Sequence, residues 1–335
     1  MFLGSDKMLI LAKSILGLTV GFFLAIVVGL FLVPYLRKKK VSQSISKFVD
    51  HQSKKGTPTF GGFIFIIPTL VTMLFLYLRG SLVFSSSLII VVFVFLAYAL
   101  LGFIDDFKKY KEKNNKGLSI LQKLIIQTLI ALVFFYIYMR GGGEPTLRIS
   151  FLNINVNLGW FYGFFILFLL VGTSNAVNLT DGLDGLAGGL SAIAFLSFGI
   201  ITWGTNWVQG YQEIAIFCFI LVGSLLGFLV FNTNPAKIFM GDTGSQALGG
   251  ALAAVAILTR HELSLAIIGG VFVVEALSSI IQIFAIKKLH KKVFLMAPIH
   301  HHFEKLGWDE RDIVKLFWIV GFMLGMAAIY YGVWL

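Results

Sequence analysis

Five short polar segments of this 335-residue chain hold the residue types and spacings that could do chemistry. They contain closely spaced aspartates, several asparagines and lysines, glycine-rich turns and three consecutive histidines. Carboxylates together with phosphate oxygens are the ligands that Mg²⁺ prefers, and lysine neutralises phosphate as a point charge. The combination predicts metal-assisted chemistry on a phosphorylated substrate. The segments are residues 54–62, 105–106, 175–189, 232–250 and 296–310.

Two adjacent acids end one of the apolar runs. Asp105 and Asp106 follow LAYALLGFI and precede Lys108 and Lys109. At the end of a helix, neighbouring carboxylates repel each other and face the unfavourable pole of the helix dipole. Such a pair is costly without a cation or a proton, although solvation at a membrane surface is the structural alternative.

Two glycine-rich segments add further acids. Asp181 and Asp184 lie in NAVNLTDGLDGLAGG, shortly after Asn175 and Asn178. Glycines allow the backbone to approach a ligand closely, but a plain tight turn is the alternative. Asp242 lies in FMGDTGSQALGG, directly before an apolar run. There it could be a helix N-cap, or it could belong to an anion site, since a helix N-terminus presents free N–H groups.

Three histidines stand in series in MAPIHHHFEKLGW, namely His300, His301 and His302. Consecutive residues of a regular element point in different directions, so we do not expect all three to bind one metal ion. Phosphate binding, substrate orientation or proton transfer suits imidazole better, and a structural role in an interfacial loop is the alternative.

The rest of the sequence must position these groups, and it is strongly apolar. Hydrophobic residues make up 58% of the chain and charged residues 13%, whereas soluble domains carry about 25% charged residues. Runs of roughly 20 apolar residues cross a bilayer as helices. We predict an all-α polytopic membrane protein that forms a single integral membrane domain over residues 1–335. The ten predicted spans are 9–34, 60–79, 85–104, 119–140, 158–179, 184–203, 212–231, 240–259, 263–287 and 313–334.

The positions of the basic residues predict the topology. With ten spans, all but six of the 27 lysines and arginines fall on one face, which the positive-inside rule assigns to the cytoplasm. Both termini are then external and all five polar segments are cytoplasmic. Because the net charge of +11 is explained by this asymmetry, we expect no nucleic-acid partner. Alternating residues predict a short external β-hairpin near 146–157, and the lone Cys218 is predicted to be a core residue.

The motifs resemble those of the phospho-MurNAc-pentapeptide transferase family, within the polyprenyl-phosphate N-acetylhexosamine-1-phosphate transferase superfamily. They run in family order from near residue 54 to near residue 310, and APIHHHFE is typical of the muramoyl branch. One departure is Phe60, where the family more often has Met. The strings that carry the resemblance are GTPTFGG (56–62), DDFKK (105–109), NAVNLTDGLDGLAGG (175–189), FMGDTGSQALGG (239–250) and APIHHHFEKLGW (297–308).

The resemblance implies a ten-helix enzyme of the bacterial inner membrane, usually a homodimer surrounded by membrane lipids, with Mg²⁺ as cofactor. Its cytoplasmic cleft would bind UDP-MurNAc-pentapeptide and undecaprenyl phosphate and would yield lipid I and UMP. By motif, Asp105 would deprotonate the lipid phosphate beside Asp106, Asp242 would bind the metal, and His301 is a further catalytic candidate. The residues expected to bind substrate are Lys54, Thr59, Lys109, Asn175, Asn178, Asp181, Gly182, Leu183, Asp184, Asn232, Phe239, Gln282, His300 and His302.

Several alternatives stay open at this point. Direct attack by the lipid phosphate and a phospho-enzyme route are both compatible with these residues. A GlcNAc-1-phosphate polyprenyl transferase would share the acidic motifs. A secondary transporter of an anionic substrate would instead place its polar residues near the bilayer midplane. Glu275 and Gln282 share a face of the ninth predicted span, where Glu275 is either functional or half of a buried structural pair.

Overall fold

The computed structural model describes residues 5–41, 54, 56–113, 116–149, 154–204 and 210–334, and most of them are helical. This confirms the all-α class. The helices are α1 (Ser5–Lys38), α2 (Phe63–Leu78), α3 (Ser86–Glu112), α4 (Ile120–Arg140), α5 (Phe161–Thr180), α6 (Leu186–Gly204), α7 (Tyr211–Asn232), α8 (Gly241–Leu258), α9 (Glu262–Ile268), α10 (Gly270–Phe284), α11 (Ile299–Lys305) and α12 (Glu310–Trp334), with a π-helix at Ala285–Leu289 after α10.

Within the described ranges, eight helical segments are long and apolar enough to cross a membrane. They correspond to α1, α3 to α7, α10 with its π-helical extension, and α12. The helix α2 is apolar but shorter, and α8 is buried from Thr243 to Leu258. The multi-pass architecture is therefore confirmed, while the count of ten spans and the external position of both termini stay predictions.

Two predicted spans differ in their bounds. The run 263–287 is divided between α9 and α10 at Gly269, because a glycine pair weakens a helix. The third span does not end at residue 104, since α3 continues to Glu112. Its last turn holds Lys109 and Lys111, which suit the negative end of the helix dipole. Asp105 and Asp106 thus lie inside α3, and the expectation that they end a helix was wrong.

The core is formed by α7 and α8, which the other helices surround. The helix α7 packs against α1 and α6, and α8 packs against α3 and α5. Small residues permit such close approach between membrane helices. At Gly102 in α3, a Cβ atom would lie 2.0 Å from the backbone oxygen of Asp242, so α3 and the start of α8 touch at the backbone.

The predicted hairpin is present. Strand β1 (Thr146–Ile149) pairs antiparallel with β2 (Ile154–Asn157). Thr146 lies opposite Asn157 and Ile149 opposite Ile154. Its location on the external side stays a prediction. Cys218 is buried, as predicted for a core residue.

Candidate active site

The loop before α2 and the loop before α8 are joined through their backbones. The N–H of Phe239 donates to the Pro58 carbonyl at 2.8 Å, and the N–H of Gly61 donates to the Phe239 carbonyl at 2.8 Å. Thr59 is buried within this junction, and Phe239 is half-buried. Two of the five polar segments are therefore in direct contact, although about 180 positions separate them in sequence.

Three aspartates form an acidic cluster at the junction of α3 and α8. One carboxylate oxygen from each of Asp105, Asp106 and Asp242 lies within 4.8 Å of the other two. Two lysines bridge this cluster. Lys109 Nζ lies 2.7 Å from Asp105 Oδ2 and 3.2 Å from Asp242 Oδ2, while Lys123 Nζ lies 3.1 Å and 2.8 Å from the same two oxygens.

The two neighbouring aspartates of α3 have different partners. Asp106 accepts the backbone N–H groups of Asp242 at 3.1 Å and Thr243 at 2.8 Å, as well as the Thr243 hydroxyl at 2.7 Å. It therefore caps the N-terminus of α8. Asp105 accepts the N–H of Leu118 at 2.6 Å in addition to its lysine contacts. Of the two alternatives for Asp242, the N-cap is not the one found, because α8 begins at Gly241 and the Asp106 side chain supplies the cap.

The helix α5 contributes amides on the other side of Asp242. Asn178 Nδ2 donates to Asp242 Oδ1 at 3.0 Å and to Ser245 Oγ at 2.8 Å. One turn earlier, Asn175 Nδ2 donates to the Val171 carbonyl at 2.8 Å and to Gln127 Oε1 at 3.4 Å. Asp242 is thus held by amide and ammonium donors from α3, α4 and α5.

The acidic cluster fits Mg²⁺ by its donor chemistry. Three carboxylates that share one small volume supply hard oxygen ligands, and this ion also retains waters and bridges substrate phosphates. The ammonium groups of Lys109 and Lys123 contact the carboxylate oxygens that a cation would use, so these oxygens are already arranged around positive charge. In the part of the chain that the structure describes, the candidate metal cluster contains these three aspartates and no histidine.

A second charged cluster surrounds Lys54. Its Nζ lies 2.7 Å from Asp184 Oδ1 and 2.6 Å from Glu310 Oε1. Glu310 also accepts the backbone N–H of Asp184 at 2.7 Å and, through Oε2, the amide of Asn234 at 3.0 Å. The N–H of Ala236 donates to Asp184 Oδ2 at 2.9 Å. The first residue of α12 thereby ties together the turn before α6 and the loop before α8.

The turn between α5 and α6 lies between the two clusters. Enclosure by the protein, followed by the negative charges of Asp242, Asp106 and Asp184, raises the pKa of Asp181 well above its usual value. Leu183 and Asp184 are the buried side chains of this turn.

Asn232 fixes the far end of the same turn. It accepts the N–H of Gly185 at 3.1 Å and donates to the Ile238 carbonyl at 2.9 Å. The amide of Asn232 therefore connects the backbone of the turn before α6 to the backbone of the loop before α8.

The three histidines point to different partners, as consecutive residues of α11 must. His300 Nδ1 lies 3.0 Å from Glu275 Oε2, and His301 Nδ1 contacts Glu304. His302 Nδ1 accepts the N–H of Leu295 at 3.1 Å.

Gln282 also forms its hydrogen bonds with backbone groups near the histidines. Its Oε1 accepts the N–H groups of Val293 at 3.1 Å and Phe294 at 3.0 Å, and its Nε2 donates to the Phe294 carbonyl at 2.9 Å. It anchors the loop between the π-helix and α11.

Sequence reasoning did not single out three residues of these clusters. Lys123 was counted only as a cytoplasmic charge, although a lysine inside the apolar run LQKLIIQ is a signal in itself. Glu310 was included only as the last residue of the polar segment 296–310, and Asn234 only as part of the segment 232–250. Contacts of Lys54 with Glu310 join residues 256 positions apart, which spacing within a motif cannot reveal.

The family model described as glycosyl transferase family 4 matches residues 88–260, which places the membrane helices and the clustered acids in a class of membrane-embedded transferases. The chain is 48% identical over 323 residues to the phospho-N-acetylmuramoyl-pentapeptide-transferase of Geobacillus sp. (strain WCH70), covering 96% of this chain and 98% of that protein. It is 47% identical over 317 residues to the protein of the same name in Bacillus subtilis (strain 168), covering 94% and 96%. The chain belongs to the phospho-N-acetylmuramoyl-pentapeptide-transferase family.

Proposed function

We propose that this chain transfers phospho-MurNAc-pentapeptide from UDP-MurNAc-pentapeptide to undecaprenyl phosphate, giving lipid I and UMP. The observation that carries the proposal is the near-full-length similarity to relatives that bear the transferase name. The acidic cluster with its two lysines supports phosphoryl chemistry. We further propose that the enzyme is a homodimer in the bacterial inner membrane and that its site faces the cytoplasm.

In the proposed reaction, an oxygen of the lipid phosphate forms a bond to the β-phosphorus of the donor, and the bond from that phosphorus to the UMP oxygen breaks. Asp105 takes up the proton of the lipid phosphate, for which it must exchange its lysine partners. Asp106 keeps the start of α8, and so Asp242, in place. Lys109 and Lys123 neutralise phosphate oxygens.

Asp242, with Asp105 nearby, would hold Mg²⁺, which when bound would offset negative charge on the diphosphate as UMP leaves. Lys54, Asp184 and the turn before α6 would bind the uridine diphosphate. A phospho-aspartate route is the alternative to direct attack. It predicts that labelled UMP exchanges into the donor without any lipid phosphate, whereas direct attack predicts no such exchange.

The testing experiment measures UMP release by detergent-purified protein supplied with UDP-MurNAc-pentapeptide and undecaprenyl phosphate, with and without Mg²⁺. We expect metal-dependent turnover that is lost in Asp105→Asn. Asp312→Asn is the matched control, because Asp312 is an exposed acid that pairs with Lys315. Turnover of UDP-GlcNAc instead would assign the protein to the sister branch. If UMP is released from neither donor, the proposal is refuted and the transporter hypothesis is favoured.

A further inference from the structure

One polar pair is buried among the membrane helices and has no part in the steps above. Glu275 in α10 and His300 in α11 are both 0% exposed, and Glu275 Oε2 lies 3.0 Å from His300 Nδ1. A carboxylate inside a membrane protein is costly without a partner, which makes such a group a candidate for a functional role. The contact joins the membrane-spanning part of α10 to the short helix that carries the three histidines.

The second nitrogen of the imidazole faces the turn between α5 and α6. His300 Nε2 is buried, and no hydrogen-bond partner for it is found among the described residues. A Cβ atom on Gly182 would lie 2.3 Å from Nε2, so the ring fills the space where a side chain of residue 182 would be. The imidazole therefore supports the backbone of the turn that also contains Asp181 and Asp184.

The carboxylate fixes which nitrogen carries the proton. When Glu275 is ionised, its carboxylate only accepts hydrogen bonds, and Nδ1 then donates to it across the 3.0 Å contact. The ring is then held in one orientation with Nε2 against Gly182. Without the acceptor, the ring could rotate or change tautomer, and the turn would lose its fixed support.

We propose that Glu275 is a positioning residue that acts through His300 on the 181–185 turn and thereby sets the affinity for the uridine nucleotide. The inference rests on the proposed function, which assigns this turn to nucleotide binding. Among the described residues, the Glu275 carboxylate is hydrogen-bonded to His300 and not to that turn, so its effect passes through the imidazole.

The experiment compares Glu275→Leu with Glu275→Gln in the full-length protein. Leucine removes the acceptor, whereas glutamine keeps an oxygen that can accept the Nδ1 proton. We expect Glu275→Leu to raise the KM for UDP-MurNAc-pentapeptide roughly tenfold, the size of one ordinary hydrogen bond, with a much smaller change in kcat. Glu275→Gln should restore the KM.

Two controls separate this role from a general loss of packing. Glu262 is also a buried membrane-protein carboxylate, 2% exposed, and it accepts the Tyr162 hydroxyl far from the turn in sequence. Glu262→Leu should lower the thermal stability but leave the KM unchanged. In a His300→Asn background, Glu275→Leu should have no further effect on the KM, because residues that act through one another are not additive.

Affinity for UMP, measured by calorimetry on each variant, separates this inference from the proposed function. If the wild type turns over and Glu275→Leu keeps its KM and its UMP affinity, or if Glu262→Leu changes them equally, the inference is overturned and the function stands. If the wild type binds UMP without turnover, weaker UMP binding by Glu275→Leu supports the inference while the function fails. A wild type that neither turns over nor binds UMP overturns both.

Discussion

The contact between α3 and α8 at Gly102 gives a prediction whose size follows from the structure. A Cβ atom at this position would lie 2.0 Å from the Asp242 backbone oxygen and 2.6 Å from the Thr243 nitrogen. Ordinary contact begins at 3.4 Å, so Gly102→Ala requires the two backbones to separate by about 1.4 Å, the difference between 3.4 and 2.0. Backbone atoms cannot rotate away as a flexible side chain can.

This separation would act directly on the acidic cluster. Asp105 and Asp106 lie one turn after Gly102 in α3, and the atom that would be struck belongs to Asp242 itself. A misplacement of about 1 Å at reacting groups costs roughly 100-fold in rate. We therefore expect Gly102→Ala to lower the kcat for UMP release by about two orders of magnitude, with an over-packing cost of about 1–3 kcal/mol in stability.

Steady-state UMP release and thermal unfolding in detergent measure the two effects. Gly172→Ala is the matched control, because a Cβ at Gly172, also inside a membrane helix, meets no atom within 4 Å. It should retain wild-type kcat. A folded Gly102→Ala protein with kcat within about threefold of the wild type would refute the reasoning, since the separation of the two backbones would then leave the reacting groups in place.

Three further substitutions test the charges of the two clusters. Glu310→Gln should raise the KM for the UDP donor, because the variant lacks the negative charge that holds Lys54. Asp312→Asn, in the same helical turn, should leave the KM unchanged, and equal KM values for the two variants would contradict this. Asp181→Asn should raise the Tm more at pH 8 than at pH 5. The raised pKa of Asp181 makes the wild type lose stability as the pH rises above the unfolded-state pKa of about 4, and asparagine does not titrate. A Tm difference between variant and wild type that is independent of pH would count against this reasoning. Lys123→Gln should lower the Mn²⁺ concentration that half-saturates the protein, because the Lys123 ammonium no longer competes for Asp242. The EPR signal of free Mn²⁺ measures this concentration, and an unchanged value would disprove the competition.

The sequence predicts the membrane helices well because length and hydropathy are local properties. The prediction fails at helix ends and at positions whose structure depends on contacts between residues distant in sequence. The apolar run stops before Asp105, which suggested a helix end there, but the basic residues that follow stabilise a helix C-terminus, and α3 continues to Glu112. The division of the ninth run at Gly269 escaped notice because an average over an apolar window conceals a single weak position.

The acids of the site are visible in the sequence, but their separate tasks are not. Asp105 and Asp106 are adjacent and chemically identical, yet one accepts lysines and the other caps α8. Only the position of α8 beside α3 distinguishes them. Likewise, Glu275 could be recognised as a costly buried acid, but its partner His300 comes from a separate helix.

Both clusters pair the negative charges of several acids with the positive charge of lysine. This pairing of charges affects how a negatively charged diphosphate can bind in the site. Separating one buried charge from its partner is strongly unfavourable, because the remaining charge stays in a poorly solvated site. A diphosphate that arrives with a divalent cation brings both signs of charge. Asp242 would hold the cation in exchange for Lys123, whose ammonium would then donate to the phosphate oxygens, so that neither charge would be left alone. Lys54 differs from Lys123 in this respect, because Glu310 and Asp184 hold its ammonium in position for a phosphate.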